Sequence, residues 1–174
     1  MSDTSIRSEK ESDCARISEV ITRAFKNDPH TDGREAEIVE LMRADSALTI
    51  SLVAELNSEI VGHIAFSKVT INGQFIDWYG LAPVSIEPKY QNQGIGSELI
   101  REGLKLLQDK GVEERGINAK GCVLLGDPNY YQRFGFEAHA QLIYPGVPPE
   151  YFQALSFGGA IPAGTIKYHQ AFGE

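Results

Sequence analysis

The stretch that most constrains this chain is Gln91-Asn92-Gln93-Gly94-Ile95-Gly96-Ser97, which runs straight into an amphipathic segment. Ile95, Leu99 and Leu106 form one apolar stripe at helical spacing, and Ile100, Leu104 and Leu107 form the adjacent one. Gly94–Lys110 is therefore predicted as one long helix whose broad apolar face suits packing on a sheet. Lys110-Gly111 supplies a cation and a glycine stop at its C-terminal end. The first turn of such a helix has N–H groups without intrahelical partners, and the helix dipole adds positive potential there. Glycines let a bulky anion come close to the backbone, so a junction of this kind can cradle phosphate. The same glycines fit equally a turn that merely starts a helix. The junction is not a P-loop, because no Gly-Lys-Ser/Thr follows, and not a dinucleotide fingerprint, because Leu99 stands where the third glycine would be.

Upstream of the junction, Ser12 or Asp13 can cap a first helix reaching about Lys26, with Ile17, Val20, Ile21, Ala24 and Phe25 on one face. Asp28-Pro29 ends it, and a second helix is predicted over Gly33–Arg43. Leu48–Glu55 and Ile60–Val69 are rich in β-branched and apolar residues, with Asn57-Ser58 as the hairpin turn between them. Asn72-Gly73 is a second turn signal. Phe75–Ile86 is a long strand-like run, expected to be bulged or partly unpaired around Pro83, which cannot donate a ladder hydrogen bond. Downstream, Gly121–Gly126 is a short continuous apolar run, predicted as a buried strand. Asp127-Pro128 opens a short helix that should stop at Gly135. Phe136–Ala140 and Gly164–Phe172 read as later strands, and Tyr144–Pro149 as irregular. This order gives a mixed α+β fold, a mostly antiparallel sheet flanked by helices.

A length of 174 residues suits one domain, 1–174, large enough for its own core. Apolar residues make up 42% and charged residues 23% of the chain, an ordinary globular balance. The net charge of −8 with no Lys/Arg run argues against nucleic-acid binding. It leans toward a cationic substrate such as an amine, or simply keeps the protein soluble. Cys14 and Cys122 have neither metal-ligand spacing nor a disulfide framework, so no metal is expected and a reducing, cytoplasmic setting fits. Met1–Glu11 has no apolar core like that of a secretory signal, and no apolar run approaches membrane-spanning length, so no membrane association is expected.

Three features together resemble the GCN5-related N-acetyltransferase (GNAT) superfamily. Gln91-x-x-Gly94-x-Gly96 matches that family's pyrophosphate-binding pattern. Ile86-Glu87-Pro88 is similar to the strand end that precedes the loop. Tyr131-Gln132-Arg133-Phe134-Gly135-Phe136 is similar to the family's Tyr-x-x-x-Gly-Phe signature. The motifs cover Ile86–Phe136, and the element order matches from Ser12 to Ala138. The resemblance implies acetyl-coenzyme A (acetyl-CoA) as cosubstrate, its pyrophosphate bound by backbone N–H groups from Gln93 to Ser97, including Gly94, Ile95 and Gly96, with Gln91 opening the pattern. It implies central strands that splay, Val84, Ser85 and Ile86 parting from Cys122–Leu125 so that the pantetheine arm pairs there like an extra strand. An acceptor amine would then attack the thioester directly.

Within that resemblance Tyr131 is the acid for the departing thiolate, a phenol whose ordinary pKa near ~10 lies close to that of a thiol; the competing reading packs it in the core. Asn129 contacts coenzyme A or a bound water, or else is a solvated helix-start residue. The base is open among Glu87, Asp77, Tyr79 and His63 and a water chain, with Glu87 expected to be solvated beside Pro88 and His63 expected at a core edge. Acceptor choice is expected in the loops Asn27–Glu35 and Leu142–Ile161, without separating a small-molecule amine from a peptide amine. Relatives commonly form homodimers, though no residue here marks an interface. Two other readings stay open: a non-catalytic acyl-CoA-binding sensor or partner module, and a generic phosphate binder.

Overall fold

A computed structural model describes residues 3–108 and 117–173. The described residues within Met1–Phe66 and Ala82–Gly103 form one compact unit, and those within Ser67–Leu81 and Leu104–Glu174 form another. The strands, in chain order, are β1 (Ser5–Ser8), β2 (Ile50–Leu56), β3 (Glu59–Lys68), β4 (Thr70–Ile71), β5 (Trp78–Ile86), β6 (Gly121–Leu125), β7 (Glu137–Ala138), β8 (Leu142–Ile143), β9 (Phe152–Ser156) and β10 (Gly164–Lys167). The α-helices are α1 (Cys14–Phe25), α2 (Glu35–Ala44), α3 (Ile95–Gln108) and α4 (Pro128–Tyr131). Hydrogen-bonded neighbours follow the order β1-β2-β3-β5-β6-β9-β7, with β4-β10-β8 as a second sheet. Most pairings are antiparallel; β5–β6 and β10–β8 are parallel. This is a mixed α+β architecture with a central, mostly antiparallel sheet flanked by helices.

In the first unit, the β2–β3 hairpin turns through Asn57 and Ser58, both at positive φ (50° and 65°), as a two-residue hairpin loop demands. Val53 pairs with His63 and Ala54 with Gly62, so the two faces alternate. The face carrying Val53 meets α1 and α2: Ile17, Val20, Ile21, Val39, Val53 and Ile60 form one buried cluster. Ile60 joins that face through the register shift at Ala54/Glu55, since a bulge reverses the alternation. The face carrying Gly62 meets α3. A Cβ on Gly62 would lie 2.9 Å from Ile86 Cδ1 and 3.2 Å from Leu99 Cδ1, and one on Gly103 would lie 2.2 Å from the Phe66 ring. Two glycines thus let helix and strand approach closely.

The second unit is built around aromatic rings seated on glycines. Trp78 fills the space beside Gly121, Tyr168 that beside Gly80, and Tyr131 that beside Gly126. Tyr144 stacks on Phe152 at 5.2 Å and meets Tyr168 edge-on at 5.4 Å. The Asn72-Gly73 turn has φ of 51° and 81°.

Several expectations are corrected. Asp13 does not cap α1 with its side chain; its carboxylate accepts from the Lys10 amide at 2.7 Å and holds Arg7 at 2.7 Å. Phe75 and Ile76 lie outside β5 and are exposed, and the chain enters the strand through Asp77 at φ 65°. Pro83 does not end the strand, being buried within β5 after a cis Ala82–Pro83 bond, but the pairing of β5 with β6 stops before it, so the strand is partly unpaired there as expected. The β5–β6 register runs from Trp78↔Gly121 to Gly80↔Val123. The stretch 142–161 is not simply a loop, because β9 lies within it with Phe152, Gln153 and Ala154 buried. The expected strand Phe136–Ala140 shortens to β7, and Gly164–Phe172 to β10 followed by a 3-10 turn at Gln170–Phe172. The Lys110-Gly111 stop lies outside the described residues.

Candidate active site

The anion-loop residues belong to the first unit. β5 ends at Ile86, a 3-10 turn covers Pro88–Tyr90, and α3 begins at Ile95. Asn92 and Gly94 both take positive φ, 63° and 89°, which reverses the chain into the helix. Nothing lies within 4 Å of where a Gly94 Cβ would be, so glycine is required there for backbone conformation and not for room. The Gly94 carbonyl accepts the first helical bond, from the Glu98 amide at 3.0 Å; the amides of the first turn precede that donor and point along the helix head. Ile95 is buried and anchors the turn, while Gly96 and Ser97 are half-buried. The side chains of Gln91 and Gln93 turn back on the loop, Gln91 Nε2 donating to the Ile86 carbonyl at 3.0 Å and Gln93 Nε2 to the Lys89 carbonyl at 3.3 Å. Both side chains brace the loop backbone. Val84 and Ile86 are half-buried, and Ser85 is buried with its Oγ unpartnered.

Tyr131 and Asn129 belong to the second unit. Asp127 caps α4, its Oδ1 accepting from the Asn129 amide at 2.9 Å, with Pro128 in the first turn. Gly135, at φ 97°, closes the following 3-10 turn. The Asn129 residue is exposed. The Tyr131 ring lies against Gly126, where a Cβ would be 2.4 Å from Tyr131 Cε2. It meets Tyr130 edge-on at 5.0 Å and Phe136 at 6.2 Å. Burial, with smaller contributions from Tyr130 and Asp127, pushes the Tyr131 phenol up to about 12. It is therefore a protonated donor at neutral pH. Gly126 itself is fixed, its amide donating to the Tyr151 carbonyl at 2.9 Å and its carbonyl accepting from Gln153 Nε2 at 2.9 Å.

The base candidates separate on burial and charge. Glu87 is not solvated: it is 6% exposed, bound through both carboxylate oxygens by Arg23 and through Oε2 by Arg16 at 3.3 Å. The Arg23 hydrogen bond holds it below the usual carboxylate range despite its burial, which makes it a poor proton acceptor. His63 lies inside the core, not at its edge, with no exposed surface. Its Nε2 is 2.8 Å from Ser51 Oγ and its Nδ1 has no partner. Burial depresses its pKa to about 4, against the pull of Glu9. Tyr79 is buried, its phenol pushed up by burial and by Asp77. None of these three has the character of a base near neutral pH.

Sequence reasoning missed Gly126 as the seat of Tyr131, and the two arginines that hold Glu87. The signal for the arginines was their spacing: Arg16 and Arg23, seven residues apart, share one face of α1. Among the described residues no cluster of three or more His, Cys, Asp or Glu is placed to hold a metal, and no helix is long and apolar enough to cross a membrane.

The sheet order, the glycine-bearing junction at the head of α3 and the half-buried Tyr131 after β6 are the features expected of a GNAT-like fold. Residues 48–138 match the acetyltransferase (GNAT) domain family, and the chain belongs to that family. It is similar to a GNAT family acetyltransferase from Brucella melitensis solved in complex with acetyl-CoA, 46% identical over 99% of each chain with a TM-score of 0.85. It is also similar to YhbS of Escherichia coli solved in complex with CoA, 32% identical over 98% of this chain and 92% of that one, TM-score 0.84. The curated relative called uncharacterized N-acetyltransferase YhbS, from Escherichia coli K12, is 34% identical over 96% of this chain and 97% of its own length.

Proposed function

We propose that the chain transfers an acetyl group from acetyl-CoA to a primary amine by direct attack in a ternary complex. One observation carries this reading. The loop Gln91–Ser97 turns through Gly94 at φ 89° into α3 with its glutamine side chains folded back, so main-chain N–H groups face the approach of an anion. The relatives solved with acetyl-CoA and CoA support the same choice of cosubstrate. Gln93, Gly94, Ile95, Gly96 and Ser97 hold the diphosphate. Val84, Ser85 and Ile86 offer backbone groups to the pantetheine arm, and Asn129 offers a polar side chain to the cosubstrate.

The amine nitrogen attacks the thioester carbonyl carbon, a nitrogen–carbon bond forms and the carbon–sulfur bond breaks. Tyr131 gives its phenolic proton to the departing sulfur and recovers one from solvent, while the amine releases its own proton to water. A water acceptor fits the burial of His63 and Tyr79 and the ion-paired state of Glu87. The acidic surface suits a cationic acceptor.

The test is release of free thiol from acetyl-CoA in the presence of a panel of primary amines. Amine-dependent thiol release with acetylated product supports the reading. CoA binding without thiol release across the panel would identify a sensor module instead, and equal thermal shifts with ATP and CoA would indicate a generic phosphate binder.

A further inference from the structure

Glu87 is a buried carboxylate at the stem of the loop, one 3-10 turn before Gln91, and each of its own polar atoms is hydrogen-bonded. Its amide donates to the Val61 carbonyl at 2.8 Å, and its carbonyl accepts from the Tyr90 amide at 2.8 Å. The carboxylate receives Arg23 Nε and Nη2, the latter at 3.0 Å, and Arg16 Nη2 at 3.3 Å. Arg16 reaches in turn to the Ile60 carbonyl at 3.1 Å and to Glu59 at 2.8 Å. One residue earlier, the Ile86 carbonyl takes Gln91 Nε2. The stem of the loop is thus tied to α1, to β3 and to the loop itself, all within one compact unit.

From this geometry we infer that Glu87 is a positioning residue for the coenzyme site: clamped by Arg23 and Arg16, it sets the exit of β5 so that the amides of Gln93–Ser97 are already aimed when the diphosphate arrives. The inference rests on the coenzyme reading above. Its physical content is preorganisation. A loop held in its binding geometry avoids the ordering cost of association, and a small misplacement of binding groups costs affinity steeply.

Charge and position make opposite predictions here, which makes the inference testable. Glu87 is an anion beside an anion site. If net charge decided, Glu87→Gln would strengthen CoA binding. If position decides, the same change weakens it, because the bidentate arginine loses its partner oxygen. The experiment is calorimetric titration of CoA into the parent protein, Glu87→Gln and Arg23→Lys, with melting temperatures recorded alongside. Arg23→Lys keeps every charge and sits on a half-exposed side chain, so it should fold even if Glu87→Gln does not; it loses only the planar fork. A core variant, Ile21→Val, lowers stability through the apolar cluster under α1 without removing any contact of Glu87.

The expected result is a Kd for CoA raised about tenfold in Glu87→Gln and roughly threefold in Arg23→Lys, with Ile21→Val binding like the parent. With acetyl-CoA as donor the effect falls more on KM than on kcat. Equal or tighter CoA binding in Glu87→Gln, or a Kd that merely follows melting temperature through Ile21→Val, overturns the inference. Failure of the parent protein to bind CoA at all would overturn the coenzyme reading itself, a separate and visible outcome.

Discussion

At the scale of single residues, what matters is which ionisable groups keep or give up a proton. Tyr131 is pushed up to about 12 by burial and so carries its proton through the neutral range. Tyr131→Phe keeps the ring on Gly126 and removes only the donor. Turnover should fall on the order of a hundredfold, with Kd for CoA changed less than twofold; unchanged turnover would remove Tyr131 from the chemistry. His63 shows the opposite effect of burial. Its folded pKa, about 4, lies below its ordinary 6.5. Between those values the unfolded chain binds a proton that the folded chain refuses, so stability is complete above about 6.5 and declines as pH falls toward about 4. The loss is on the order of 3 kcal/mol. Urea unfolding across that window should show a steep decline in the parent and a shallower one in His63→Gln. Equal slopes would mean that His63 ionises freely where it sits. Glu9 and Arg43 are the charged groups that act on His63, and Glu9 is itself held ionised by Arg43 and Ser51 against its own burial, so the cluster offers no easy place for another proton.

At the scale of elements, short local signals and long-range packing divide what the sequence discloses. α1, α2 and α3 were legible from apolar periodicity, the β2–β3 turn from Asn57-Ser58, and α4 from Asp127-Pro128, because each is governed by neighbours in sequence. The cap on α4 is a local device worth about 1 kcal/mol. Asp127→Ala should lower unfolding stability by that much, since it strips the acceptor from the Asn129 amide; no change in urea midpoint would show that α4 is held by packing alone. β1 and β9 were not legible, for different reasons. Ser5–Ser8 is polar and becomes a strand because it pairs antiparallel with Leu52–Glu55. Phe152–Ser156 follows a proline-rich stretch and becomes one by lying between β6 and β7. Of the candidate site, the loop Gln91–Ser97 and Tyr131 could be read from motif spacing, whereas the surroundings of Glu87 and His63 could not. Burial and ion pairing there are set by residues distant in sequence: Arg16 and Arg23 for one, Glu9 and Ser51 for the other.

At the scale of the whole molecule, the family is established, and the proposed chemistry rests on one junction, Gln91–Ser97. An acidic chain, −8 in net charge, must bind a polyanionic cosubstrate against its own field, so the attraction has to be local. In the proposed site, helix-head amides behind Gly94 at φ 89° supply that attraction. Ligation should also stabilise the fold, by about 2.7 kcal/mol when CoA is at a hundred times its Kd. The most direct measurement is calorimetric titration of CoA into the parent protein and into a Gly94→Val/Gly96→Val variant, each first shown to be folded by its melting transition. Saturable binding by the parent, lost or weakened at least a hundredfold in the variant, is the predicted result. CoA affinity left intact by the double replacement would contradict the assignment of this junction as the coenzyme site.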